Sequence, residues 1–530
     1  MRWYAVAFSI MATQASAITF TSTPGQAFVD GMRFVQYYFG LPVAMVILSV
    51  TAVPLYRRLN VYTAYEYLEH RFDLKTRTLT SVLFMIQRGL GAGMTIYAPS
   101  IILSVMLGWD VRITSAVIGG AIILYTTTGG VKAVSWTHLQ QLTIVMLGML
   151  AAFVAALALL PEDVSFGDSL AVAGVMGRMN IVDFSFDWTN RYNFWSGLIG
   201  GLFIALAYFG TDQSQVQRYL TGASETQSKL GLMFNGLVKV PMQFFILLVG
   251  IMVFSFYQFT APPIFFNPVE IERVRNGPHG AAFRAVEDEY AGAHADKAVS
   301  VRRYLTARES GDGASVEDAR RSLLEAEARA EGHRSQGIEI MRTADPSIDQ
   351  NDTNYVFLTF ILGNLPVGLI GLLLACVLAA SMSSGSGELS ALATTTVVDV
   401  YLRHFRKDAT DRQALLVSRI AMAGWGAYGV FFSHFANQLG SLVEAVNILG
   451  SLFYGTMLGI FLIAFFIKKV GGTPTFLAAF SGEAVVLWSF AMTDISWLWY
   501  NVIGCAVVVL AAVILQAVLP RRGLTSSSIR

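Results

Sequence analysis

The stretch LAASMSSGSGELSALATTTVVDVY, residues 378–401, decides how this chain is read. It closes a long apolar run, which places it inside a membrane span, yet it carries Ser381, Ser383, Ser384, Ser386 and Glu388, interleaved with Gly385 and Gly387. Polar groups in a bilayer are costly unless they are paired or face water. A helix that turns several neutral oxygens toward one point offers what an alkali cation requires. Small residues also let helices pack closely with no ligand at all. On this stretch alone the two readings stand level.

Composition widens the membrane reading to the whole chain. Of 530 residues, 54% are hydrophobic and 14% charged, with mean hydropathy +0.54; ordinary soluble chains carry about 25% charged residues. A soluble enzyme is excluded. Lys+Arg 37 against Asp+Glu 36 leaves a net charge of +1, so there is no basic field to hold nucleic acid. Cys376 and Cys505 lie far apart inside apolar runs and read as small hydrophobes.

Apolar runs near 20 residues predict about twelve spans, at 3–22, 33–54, 79–107, 112–129, 136–160, 194–214, 231–258, 366–398, 414–434, 440–467, 474–493 and 497–519. Arg57, Arg58 and Arg71 follow the second, Arg403, Arg406 and Lys407 the eighth, and Lys468 and Lys469 the tenth. Every even-numbered span ends on a basic loop, so those loops and both termini are expected on the cytoplasmic side of the plasma (inner) membrane. The lipid bilayer is then the chain's main partner. The segment 271–350 is foreign to this pattern: its "ARRSLLEAEARAEGHR" (319–334) predicts a solvated helix outside the membrane, in a hairpin or loop without chemistry of its own. The expected division is 1–270 for spans one to seven, 271–350 for the insertion, 351–470 for spans eight to ten, and 471–530 for two appended helices and a short tail.

Arg2 and the small residues Ala15-Ser16-Ala17 imitate a signal peptide. Gln14, Ser16, Thr19, Thr21, Ser22, Thr23, Pro24 and Gly25 equally suit a discontinuous helix whose unwound part lines a site.

Four motifs settle the choice by resemblance. "YEYLEHRF" (65–72), "GGVKAVSWTHLQQ" (129–141), "GTDQSQVQRYL" (210–220) and "SMSSGSGELSALATTTVVDVY" (381–401) resemble, in order and spacing, signatures of the sodium:solute symporter family. The resemblance implies an all-α core of the leucine-transporter type, with spans one to five related to six to ten by inversion and two helices appended. It implies a retained, broken first helix, and it leaves the chain without the additional leading helix usual in the family. Sodium would be the coupling ion, held by the carbonyls of Ala12, Ala15 and Ala380 and the hydroxyls of Ser383 and Ser384. Five neutral oxygens suit a monovalent ion released in every cycle. A second sodium is disfavoured because His138 stands where the family pattern has Asp, and Gly387 where it has Ser.

The resemblance further places the solute against Ser16, Thr19, Gln36, Tyr38 and Arg88, with Tyr208 as an aromatic gate. Arg88, beside Gln87, lies deep in an apolar run, where a guanidinium is expensive unless it pairs with an anion; snorkelling to the interface is the plain alternative. Carboxylate-carrying relatives resemble the chain at these positions, and sugar-carrying ones differ at Tyr38 and Ala205. The expected function is sodium-coupled symport of a small organic acid such as sialic acid or a monocarboxylate, with a neutral sugar or polyol as the alternative. An internal ion pair of Asp212 with Arg218, or ordinary anchoring of both at the interface, is expected, and Glu388 and Asp399 are either pathway or helix-end charges. A channel would need a continuous polar lining, a sensor an added signalling domain, and an intramembrane enzyme a motif such as HExxH, which the spans lack.

Overall fold

The structure, a computed structural model, describes residues 2–14, 16–59, 61–129, 134–346, 348–436 and 440–519, with the side chains of 129 and 134–139 left aside. In chain order the helices are α1 (Trp3–Gln14), α2 (Ala17–Asp30), a 3₁₀ segment (Gly31–Tyr38), α3 (Leu41–Val50), α4 (Ala52–Leu59), α5 (Ala64–Arg71), α6 (Leu74–Leu107), α7 (Val111–Gly129), α8 (Val134–Ala158) and α9 (Phe166–Val175). A π turn (Ser196–Gly200) leads into α10 (Gly201–Gly210), α11 (Gln213–Leu220), α12 (Glu225–Phe259), α13 (Pro268–Arg275), α14 (Gly280–Ser310), α15 (Gly313–Ala344), α16 (Thr353–Asn364) and α17 (Val367–Thr395). A π stretch (Thr396–Phe405) ends that helix, and α18 (Asp411–Ser433), α19 (Leu442–Phe466), α20 (Gly472–Met492) and α21 (Trp497–Val518) follow.

Among the described residues, ten helical stretches are long and apolar enough to cross a membrane, against the expected twelve. The difference lies in the first and sixth spans. Each is broken: α1 stops at Gln14 and α2 begins at Ala17, while α10 stops at Gly210 and α11 begins at Gln213. The halves are too short to span alone, and a half-helix leaves its last four carbonyls or first four N–H groups without intrahelical partners. The second span also starts differently from expectation, because residues 31–38 form a 3₁₀ turn and carry Gln36 and Tyr38 out of the regular helix.

Local chemistry sets several helix starts. Thr63, Asp73 and Ser224 each accept an N–H from the first turn of the following helix, and Ser165–Asp168 and Thr410–Gln413 form reciprocal capping boxes. Backbone packs directly on backbone where the second span meets the sixth. A Cβ added to Gly40 would lie 2.1 Å from the Leu202 nitrogen, one on Gly197 2.1 Å from the Gln36 carbonyl oxygen, and one on Gly201 2.4 Å from that of Tyr37.

The charged insertion forms the expected hairpin, α14 against α15. Phe283 and Tyr290 close on Ala330 and Met341 near its base, and Val301 and Leu305 on Ala319 and Leu323 toward its tip, the latter cluster sharing α9's Val172. His294 bonds the Tyr257 carbonyl at the end of α12 (2.7 Å), and Arg334 binds both oxygens of Asp352 at 2.8 Å. Burial lowers the basicity of the His294 ring.

Candidate functional site

The first break opens on a cavity of about 140 Å³ that the last turns of α10, just before the second break, also line; its walls come from α1, α2, the 3₁₀ segment, α3, α6, α10, α12, α17 and α19. Ser16, Thr19, Tyr38, Arg88, Ser384 and Tyr208 all line it. Ser16 stands at the N-cap position of α2 without a capping hydrogen bond and lines the cavity, so the positive end of that helix faces it. The Thr19 hydroxyl donates to the Gln14 carbonyl at 2.6 Å and ties the two half-helices together. Ala12 stands in the last turn of α1, where carbonyls lack helical partners. Ala380, Ser383 and Ser384 are buried on α17, which packs against α2, α6, α8 and α11. Ala15 lies outside the described residues, and so does the side chain of His138.

Gln36 does not reach the cavity. Its amide donates to the Tyr192 carbonyl at 2.9 Å and its oxygen accepts from the Asp183 N–H at 3.0 Å, so both ends are spent on the loop between α9 and the π turn. That loop carries its own charge pairing: Arg191 meets Glu444 at 2.8 Å, which makes the guanidinium a weaker acid than usual. Its acidic turns lie low in the carboxylate range, Asp183 through hydrogen bonds from Ser185 and Asp187 through those from Thr189.

Arg88 does not snorkel, and both of its terminal nitrogens are already engaged, with its Nε left without a partner. It is 4% exposed and pairs with Asp212 and, at 3.1 Å, with Glu388. It also donates to the Tyr454 hydroxyl at 3.0 Å, and its guanidinium lies 5.7 Å from the centre of the Tyr208 ring. Asp212 divides its oxygens: Oδ1 accepts from the Ser214 N–H at 2.8 Å and caps α11, while Oδ2 takes Arg88 and the Tyr454 hydroxyl at 2.9 Å. The break in the sixth span is thereby bound to α6 and α19. Asp212 thus pairs with Arg88, and not with Arg218 as expected. Arg218 donates to the Ser9 hydroxyl at 3.3 Å and the Ser214 carbonyl at 3.2 Å, and it lies so close to α17 that a Cβ on Gly387 would be 2.6 Å from its Nη2. Asp399 is a helix-end charge, held by Arg77 at 2.6 Å and the Thr63 hydroxyl at 2.9 Å.

Lys239 was missed. It sits on α12 between Val238 and Val240, is 2% exposed, lines the cavity, and holds its ammonium 5.4 Å from the centre of the Tyr38 ring. No carboxylate among the described residues lies within salt-bridge distance of it. A single cation in the seventh apolar run was the available signal, since intramembrane charges mark sites by default. Asn447 and Tyr454 on α19 also line the cavity, the first accepting from the Tyr37 hydroxyl at 2.9 Å.

Two broken helices packed around a polar cavity, in a body whose described residues are helical and hold ten membrane-length stretches, define a polytopic membrane protein of the transporter type. The chain belongs to the sodium:solute symporter family, whose model matches residues 1–284 and 341–482. The interruption falls within the α14–α15 hairpin. It is 24% identical over 489 residues to the sodium-coupled monocarboxylate transporter 1 of Xenopus laevis, covering 91% of this chain and 64% of the relative. It is 24% identical over 519 residues to the sodium/sialic acid symporter NanT of Aliivibrio fischeri, covering 96% and 84%. The chain therefore spans under two thirds of the length of the monocarboxylate relative. A substrate-bound, outward-open sodium-coupled sialic acid symporter has the same fold, with a TM-score of 0.73 and 20% identity over 98% of this chain and 90% of that one.

Proposed function

We propose that the protein is a secondary transporter of the plasma (inner) membrane, with both termini cytoplasmic, in which sodium drives uptake of a small organic carboxylate by alternating access. The single observation that carries the carboxylate reading is Lys239: a buried ammonium with no acidic partner among the described residues, in the cavity that the α2 N-terminus also faces. An uncompensated charge at that depth is costly, and an anion is the natural complement. Relatives named for monocarboxylates and for sialic acid, both acids, support the same class.

In this reading the carbonyls of Ala12, Ala15 and Ala380 and the hydroxyls of Ser383 and Ser384 hold one sodium. Ser16, Thr19, Tyr38 and Lys239 receive the solute, Arg88 holds the cavity's carboxylates in place beside it, and Tyr208 closes it below. Sodium and an anion in one low-dielectric cavity strengthen each other's binding, and the coupling is reciprocal. One sodium with a monovalent anion moves no net charge.

Uptake into proteoliposomes of pyruvate, N-acetylneuraminate and glucose, with and without an inward sodium gradient, tests the proposal. Sodium-dependent accumulation of an acid, hyperbolic in sodium, is expected. Sodium-driven uptake of glucose with both acids ignored rejects the carboxylate, and a steeply sigmoidal sodium curve rejects the single ion.

A further inference from the structure

Two oxygens in the central cavity are left without a hydrogen-bond donor. Gln87, on α6 and 3% exposed, gives its amide N–H to the Tyr454 hydroxyl at 3.1 Å, while its Oε1 accepts nothing. Glu388, on α17 and 9% exposed, gives one oxygen to Arg88 at 3.1 Å. Its second oxygen, with the Thr95 hydroxyl beside it, has no donor at hydrogen-bonding geometry. Both residues line the cavity that Lys239 enters from α12. A buried acceptor left unpaired is costly, and a charged one more so; native proteins rarely keep one without a use.

Either a cation or a neutral donor would answer these acceptors, and the surroundings choose between them. Arg88 already touches Glu388, and Arg218 presses on Gly387, the adjacent residue. A further cation there would meet two guanidiniums in a medium that screens poorly. A hydroxyl meets no such repulsion.

We propose that the solute is an acid that also carries hydrogen-bond donors, a hydroxy- or polyhydroxycarboxylate, with its hydroxyl protons accepted by Gln87 and Glu388. This rests on the carboxylate reading of the cavity and narrows it, because plain fatty monocarboxylates leave both acceptors unanswered. A site built to bond a hydroxyl rejects the analogue that lacks it far more strongly than an apolar pocket rejects a missing methylene.

The test is sodium-dependent binding of three six-carbon probes to the purified full chain: gluconate with acid and hydroxyls, hexanoate with the acid alone, and glucitol with the hydroxyls alone. Gluconate is expected to bind about a hundredfold or more tighter than hexanoate. Gln87→Met, which keeps an unbranched side chain of similar length but removes the orphan oxygen, is expected to cut that ratio about tenfold. Hexanoate binding within about threefold of gluconate to the parent protein overturns the proposal, whether or not the variant folds. Glucitol binding as tightly as gluconate, with hexanoate ignored, would uphold the donor requirement and discard the carboxylate, so the two readings fail separately.

Discussion

Two ion pairs of the same chemistry sit in very different places. In the α14–α15 hairpin, Arg303 meets Asp318 at 2.5 Å with both side chains 60% exposed. In the membrane core, Arg88 meets Glu388 at 3.1 Å with the side chains 5% and 11% exposed. Distance alone would rank the hairpin pair first. Water screens it, however, and holding two long side chains in one geometry costs entropy, so such pairs contribute about 0–1 kcal/mol. The core pair cannot be judged by its attraction, because most of that offsets desolvation; its importance appears when one partner is removed and the other stays buried.

The largest expected effect is that of Asp212→Ala, which strips Arg88 and the Tyr454 hydroxyl of a carboxylate and uncaps α11. A loss of about 3–5 kcal/mol is expected in the thermal stability of the purified protein. Arg88→Met and Glu388→Gln added to Asp212→Ala should recover part of it, since removing the cation with both of its carboxylates leaves none of the three charges stranded. A loss below about 1 kcal/mol in the single variant breaks the comparison.

Ser384→Ala tests a buried but neutral oxygen. The fold should be kept while the sodium concentration for half-maximal uptake rises five- to a hundredfold, about 1–3 kcal/mol. Unchanged sodium dependence would remove α17 from the ion site.

Asp349 stands between the two extremes, outside the membrane yet largely buried, with its pKa raised to about 7. Burial is the main cause, against a hydrogen bond from the Asn351 N–H that lowers it. A folded pKa above the unfolded value of about 3.9 means that ionisation costs the folded state stability as pH rises from about 4 to about 7. Asp349→Asn should therefore match the parent near pH 4 and exceed it above pH 7 by about 1–2 kcal/mol, as read from melting curves at both pH values, less than the roughly 4 kcal/mol of the full shift because the group is partly exposed and solvent-screened. A gap that does not change with pH would show that Asp349 is screened like the hairpin charges. The smallest effect belongs to Arg303→Ala, expected to shift stability by no more than about 0.5 kcal/mol; a loss of about 2 kcal/mol would bring the hairpin pair close to the core pair in importance.

Apolar runs and motif order were enough for the fold because a bilayer demands long, internally bonded segments and punishes any other arrangement. The break in the first span was legible in its polar residues around Gln14 and Ser16, but the helix ends inside the sixth span were not. A hydropathy window averages across a break such as that between Gly210 and Gln213, and the 3₁₀ turn at Gly31–Tyr38 leaves no mark of its own in a stretch that mixes Arg33 and Gln36 with aromatic residues. For the site, hydroxyls such as Ser384 were visible as polar residues in an apolar setting. What side chains spend themselves on was not. Gln36 is consumed by Tyr192 and Asp183, and Arg88 by Asp212 and Glu388, through contacts between residues more than a hundred positions apart. Lys239 shows the opposite failure: its charge was in plain view, but its lack of a partner becomes visible only when the neighbouring helices are assembled.

The glycine contacts between the second and sixth spans have a mechanical consequence. With no side chain between Gly40 and Leu202, or between Gly201 and Tyr37, the two segments mesh like the faces of a clutch. Sliding one along the other by a single residue would drive the Cβ of Leu202 or Phe39 toward opposing backbone, so neither can ratchet independently. Any rocking must therefore carry α10 and the start of the second span together as one lever.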